Sequence, residues 1–117
     1  MAKQYSETVV VTAPLMLLVE RMRNIQGQGF EVRNEFPDGY GGVFFNMANG
    51  VTMSSWGEDI SIHMWIYNNQ QTMVEFVSES AMPTQLVDFG KNKKNIANIE
   101  AALFNGLNVQ VVQQPNP

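Results

Sequence analysis

Residues 58–67 read Glu-Asp-Ile-Ser-Ile-His-Met-Trp-Ile-Tyr, an alternation that runs the length of the segment. In an extended chain successive side chains point to opposite faces. Ile60, Ile62, Met64 and Ile66 therefore share one face of a strand, and Ser61, His63, Trp65 and Tyr67 share the other. Both faces are apolar, but in different ways. The aliphatic row suits a dry contact with helices, while the second row mixes rings with a histidine and a serine. A strand of this kind belongs to a sheet covered on one side by helices, with its other side open.

The rest of the chain supplies the partners. Residues 5–12 are rich in Val and Thr and suit a first strand. Ala13-Pro14 then opens a helix, since a proline in the first turn sacrifices no hydrogen bond. Leu15, Leu18, Val19, Met22 and Ile25 follow at helical spacing, with Gly27 or Gly29 as the expected stop. Strands are expected over 30–36, 42–48, 58–67 and 72–80. Pro37-Asp38-Gly39, Asn49-Gly50 and Asn68-Asn69-Gln70-Gln71 fall between them as turns, with Val51 onward as a possible return arm after Asn-Gly. A second helix places Ile96, Ile99, Ala102 and Leu103 on its inner stripe and ends at Asn105-Gly106-Leu107. The order is β-α-β-β-β-β-α. Consecutive strands with short connections form an antiparallel meander, so an α+β fold is expected, with about five strands and both helices on one face. Residues 1–107 make one domain, and residues 108–117 are an edge strand or a tail.

Composition narrows the function. A chain of 117 residues is long enough for one core without staples. It contains no cysteine, which removes disulfides and thiolate metal sites. A net charge of −4 disfavours a nucleic-acid partner, because phosphate tracking needs a broad basic surface and the only local one is Lys91, Lys93 and Lys94. The N-terminal Met-Ala-Lys-Gln-Tyr-Ser-Glu precedes no apolar run, and the longest apolar stretch, Leu15 to Val19, is too short to span a bilayer. No membrane span and a cytoplasmic location are the expectation.

Two short stretches stand out together. Ser54-Ser55-Trp56-Gly57-Glu58-Asp59-Ile60-Ser61-Ile62 resembles an SWGE-x-I-x-I pattern. Ser78-Glu79-Ser80, followed by Asp88-Phe89-Gly90-Lys91-Asn92-Lys93-Lys94-Asn95-Ile96, resembles S-x-S with D-[WF]-G-K-N-x-x-N-[IV]. The pair resembles motifs of small uncharacterised bacterial proteins of β-α-β4-α order, similar to TBP-like or helix-grip architectures. The resemblance implies a bacterial source and that fold, and implies no activity. Read from its residues, segment 88–95 either caps the second helix, with Gly90 allowing a tight turn, or binds an anion at a helix N-terminus beside its lysines. It is not a Walker-type loop. Asn92 and Asn95 are placed to hydrogen-bond neighbouring loops, the Trp56-Gly57-Glu58 turn among them.

Catalytic signals are sparse. His63 is the only histidine, with Glu58 and Asp59 near it in sequence and Glu75 expected opposite it on the next strand. There is no Gly-x-Ser-x-Gly, and no base is evident beside Ser54, Ser55, Ser78 or Ser80. No cofactor and no metal are expected. On the strand after His63, Val74 and Phe76 fall on one face and Met73, Glu75 and Val77 on the other. The open face should therefore gather His63, Trp65, Tyr67, Met73, Glu75 and Val77, a large apolar patch for a monomer. Such a patch reads as a protein or homodimer interface, as a groove for an apolar small molecule, or as a surface covered by residues 108–117. The leading expectation is a non-catalytic binding or protein-interaction domain acting through that face. The alternative is a hydrophobic-ligand binder with a cavity between sheet and helices.

Overall fold

Strands that follow one another through short turns pair with their neighbours, and four do so here. The computed structural model describes residues 4–25, 30–49, 58–80 and 91–113. Its elements are β1 (Gln4–Val11), α1 (Leu15–Arg23), β2 (Phe30–Pro37), β3 (Val43–Asn49), β4 (Glu58–Asn68), β5 (Gln71–Ser80), α2 (Lys91–Leu103) and β6 (Val109–Gln113). The meander β2-β3-β4-β5 is antiparallel throughout. β1 adds to β5, and β6 adds to β1, giving the order β2-β3-β4-β5-β1-β6. The α+β class and the element order are as expected. The sheet has six strands rather than about five, because Val109 and Val111 pair with Val11 and Val9 and so turn residues 109–113 into an edge strand.

The aliphatic face of β4 meets the helices. Ile60, Ile62 and Met64 are fully buried with Phe45 and Met47 of β3, Val74 and Phe76 of β5, and Val9 and Val11 of β1. Leu18, Val19 and Met22 of α1 and Ile96, Ile99 and Leu103 of α2 close the core from above. Ile66 departs from its row: it is 63% exposed although its cross-strand partner Thr72 is buried, and it lines a groove with His63 and Trp65. Phe76 also meets Phe104 edge to face, with ring centres 5.8 Å apart.

The helix ends follow local chemistry. The Pro14 carbonyl accepts from the amides of Leu17 and Leu18 at the start of α1. α1 stops at Arg23, earlier than the glycines that were expected to end it. Asn24 ends it instead: its Nδ2 donates to the Glu20 carbonyl, while its own amide and that of Ile25 reach back to Arg21 and Met22. These three-residue bonds tighten the last turn. After α2, Gly106 takes φ +78°, which an L side chain rarely adopts, and the Leu107 amide bonds the Phe104 carbonyl. Arg21 donates to the carbonyls of Leu103 and Asn105, tying α1 to the end of α2.

Candidate functional site

The side of the sheet away from the helices is organised in rows, because directly opposed residues of an antiparallel pair share a face. One row runs Phe36, Phe44, His63, Glu75 and Thr8. Beside it run Trp65, Met73, Val10 and Gln110. Four rings lie in contact. Phe36 and Phe44 stack with centres 5.3 Å apart, Phe44 and His63 stack at 4.0 Å, and His63 meets Trp65 at 4.5 Å with a 41° tilt.

A loop completes the site. β3 begins at Val43, opposite Met64, so β4 runs on past it from Trp65. The 38–42 connection occupies that end, held by Asp38. Its Oδ1 accepts the amides of Tyr40 at 2.7 Å and Gly42 at 2.8 Å, and its Oδ2 lies 2.7 Å from His63 Nε2. The loop's path needs Gly39 and Gly41 at φ +87° and +89°. Gly42 has no room for a side chain: a Cβ there would stand 2.6 Å from the Met64 carbonyl oxygen. The Asp38 side chain is 5% exposed and that of His63 24%.

The His63 bond, then the Tyr40 amide and with it that of Gly42, hold the Asp38 carboxyl below the usual carboxylate range. An ionised carboxylate only accepts, so the proton of the pair sits on Nε2 and Asp38 fixes the ring's orientation and tautomer. Next to this pair lies a groove of about 270 Å³ lined by Asp38, Tyr40, Gly41, His63, Trp65 and Ile66. Tyr40 is 94% exposed and forms its outer wall. An oriented imidazole is the kind of group a general base requires. However, the groove's described lining carries no serine, threonine or cysteine for it to activate. Among the described residues no three His, Cys, Asp or Glu side chains are placed to hold a metal ion.

The register places His63, Trp65, Met73, Glu75 and Val77 on one face, all half-buried. Glu75 stands directly opposite His63, but the histidine's hydrogen bond goes to Asp38. Tyr67 falls where the pairing slips between Ile66 and Asn68 and is 55% exposed. Asn92 and Asn95 are buried, and Ser78 Oγ donates to Asn92 Oδ1 at 2.9 Å, so this part of the second motif joins α2 to the helix side of β5. Trp56, Gly57, Asp88 and Gly90 lie outside the described residues, as do the side chains of Glu58 and Lys91. The sequence reading missed Asp38, Tyr40 and Phe44 as members of the site.

A second polar cluster sits on the helix side. Glu7 stands opposite Phe76 on the inner face and accepts the Tyr5 hydroxyl at 3.0 Å. Glu100 of α2 reaches the same point. Burial first, then its hydrogen bond to Glu7 and that group's charge, push the Glu100 carboxyl up to about 8. Burial and the Glu7 contact push the Tyr5 phenol up to about 12. No helix among the described residues is long and apolar enough to cross a membrane. In comparisons with known proteins, the chain matches no family model and no curated sequence.

Proposed function

We propose that the chain is a non-catalytic binding module that works through the open sheet face, centred on His63 and Trp65. The observation that carries this reading is the ring ladder Phe36–Phe44–His63–Trp65, locked by Asp38 beside the Tyr40 groove. Aromatic side chains fixed in place lose little entropy on docking, which is why they anchor interfaces. Here the lock is the His63–Asp38 bond together with the two loop amides. The described lining offers His63 no serine, threonine or cysteine to activate, which favours binding over acyl-transfer chemistry. The alternative, an apolar ligand held between sheet and helices, draws less support. The side chains that fill that layer, including Ile62, Met64, Phe76, Ile99 and Leu103, are fully closed off.

Native mass spectrometry and sedimentation of the purified protein test the reading, with Trp65→Ser as the comparison. The expected result is a bound species or a self-associated form that the variant loses. A monomer with nothing bound, both before and after the substitution, overturns it.

A further inference from the structure

The open face has a second half. Beyond the ring rows comes a polar row of Asn34, Asn46, Ser61, Val77 and Ser6. The row after that runs Glu31, Ala48, Asp59, Glu79 and Gln4. Asp59 and Glu79 are direct cross-strand partners, both exposed, and like charges so placed repel. Among the described residues no cation forms an ion pair with Glu31, Asp59, Glu75 or Glu79; the two ion pairs found there join Arg23 to Glu35 and His63 to Asp38. One base, Arg33, lies on the edge strand β2 itself, at the bulge between Val32 and Asn34, and the others lie elsewhere. Five of the seven are on the helices, Arg21 and Arg23 on α1 and Lys91, Lys93 and Lys94 on α2, against Glu20 and Glu100. The segments outside the described residues add only Lys3 and Asp88 to the count of charged residues. The sheet face is thus mostly aromatic at one end, where Glu75 joins the His63 row, and acidic at the other. Six residue steps along β4 take the chain from Asp59 to Trp65, a distance of roughly 20 Å.

We propose that this face docks a protein segment that is apolar at one end and rich in Lys or Arg about 20 Å away, with the rings taking the apolar end and Asp59 and Glu79 the basic end. This rests on the reading of the face as a binding surface and names its occupant. A second copy docked face to face fits poorly in either orientation. With strands parallel, each acidic row meets the other's acidic row. With strands antiparallel, each acidic row is buried against the partner's rings, where carboxylates lose water and gain no cation. A basic segment meets both halves of the face, and its charges speed encounter and fix its direction.

The probe is a synthetic helical peptide with a Leu/Phe-rich first half and a Lys-rich second half, compared with its Glu-rich counterpart, read by backbone amide shifts of the labelled protein. The Lys peptide is expected to shift Trp65, His63, Asp59 and Glu79 and to weaken with added salt. Asp59→Asn with Glu79→Gln should weaken it roughly fivefold to tenfold, the scale of two exposed ion pairs. The Glu peptide should shift none of them. Both substitutions are on exposed positions, so a folded spectrum of the variant serves as its control. Equal binding by the variant, or equal binding of the Glu peptide, overturns the proposal. If neither peptide binds while sedimentation shows a Trp65-dependent self-association, the occupant is a second copy: the proposal fails and the face remains a binding surface. If nothing binds and the protein is monomeric throughout, both readings fail.

Discussion

Glu100→Gln should make this protein more stable at alkaline pH and leave it nearly unchanged at acid pH. Glu100 sits where α2 crosses β1, with Glu7 beneath it. Two carboxylates in a partly dry seam cannot both be charged without cost, so one holds a proton. Burial, and then the Glu7 bond, raise the Glu100 carboxyl from an ordinary 4.5 to about 8. A group whose pKa is raised by folding stabilises the fold fully below its unfolded value. That contribution is lost as pH climbs through the folded value. The window here is pH 4.5 to about 8. At about 1.4 kcal/mol per pH unit the full loss would be about 5 kcal/mol. Glu100 is only partly buried, and solvent screening reduces this to about 1–3 kcal/mol.

Glutamine keeps the shape and still donates to Glu7, but it has no proton to lose. Thermal unfolding of both proteins at pH 4.5 and pH 8.5 checks the argument, since every group not in contact with Glu100 is common to both and cancels in the difference, leaving the Glu100–Glu7 pair. The variant should melt within about 2 °C of the parent at the lower pH. At the higher pH it should melt roughly 4–12 °C above it, taking about 4 °C per kcal/mol for a chain of this size. A difference that stays constant between the two pH values would refute the reasoning, because it would mean that Glu100 carries no proton in the folded state.

Three further substitutions probe the site and the core. Asp38→Ala removes the acceptor of the Tyr40 and Gly42 amides and of His63; amide exchange should speed up at both amides while the amides of Val74 and Phe76 stay protected. Gly42→Ala sets a methyl against the Met64 carbonyl and the Asp38 carboxylate; urea unfolding should show a loss of about 1–3 kcal/mol, with the His63 ring resonances displaced as its partner moves. Phe76→Ala opens a cavity at a fully buried ring and removes its contact with Phe104; the same unfolding assay should show a loss of about 3–5 kcal/mol.

The fold was legible because its signals are local. The alternation of β4 names its two faces, and one face names the helix stripes that must cover it. Ile96, Ile99 and Leu103 are all at 1% exposure or less. What escaped were ends and edges. α1 stops at Asn24 because a side chain reached back to Glu20, an event that competes with the glycines further on. Residues 109–113 read equally well as tail or strand, since only the presence of β1 beside them makes the ladder. The site was half legible for the same reason. The pairing of His63 with Glu75 follows from counting along two adjacent strands. Asp38 stands 25 residues from His63. The two meet only because β4 outruns β3 and the loop folds into the gap. The run Asp38-Gly39-Tyr40-Gly41-Gly42 marks a turn in the sequence, but nothing in it names the strand the aspartate will reach.

The acidic row can be tested without any partner. Direct opposition of Asp59 and Glu79 costs the free protein about 0.2–1 kcal/mol relative to a neutral pair. Asp59→Asn alone removes that repulsion at an exposed position and disturbs no hydrogen bond seen among the described side chains. The free variant should therefore melt about 1–4 °C higher in low salt, and the gain should shrink as salt screens the parent's repulsion. Were the row a plain solvated edge balanced by a cation of the chain, the same substitution would remove an attraction and lower the melting temperature. The sign of the change thus separates a face kept acidic at a cost to its own stability from one already neutralised within the chain. A stabilised Asp59→Asn protein that also loses the Lys peptide would show both sides of that exchange in one molecule.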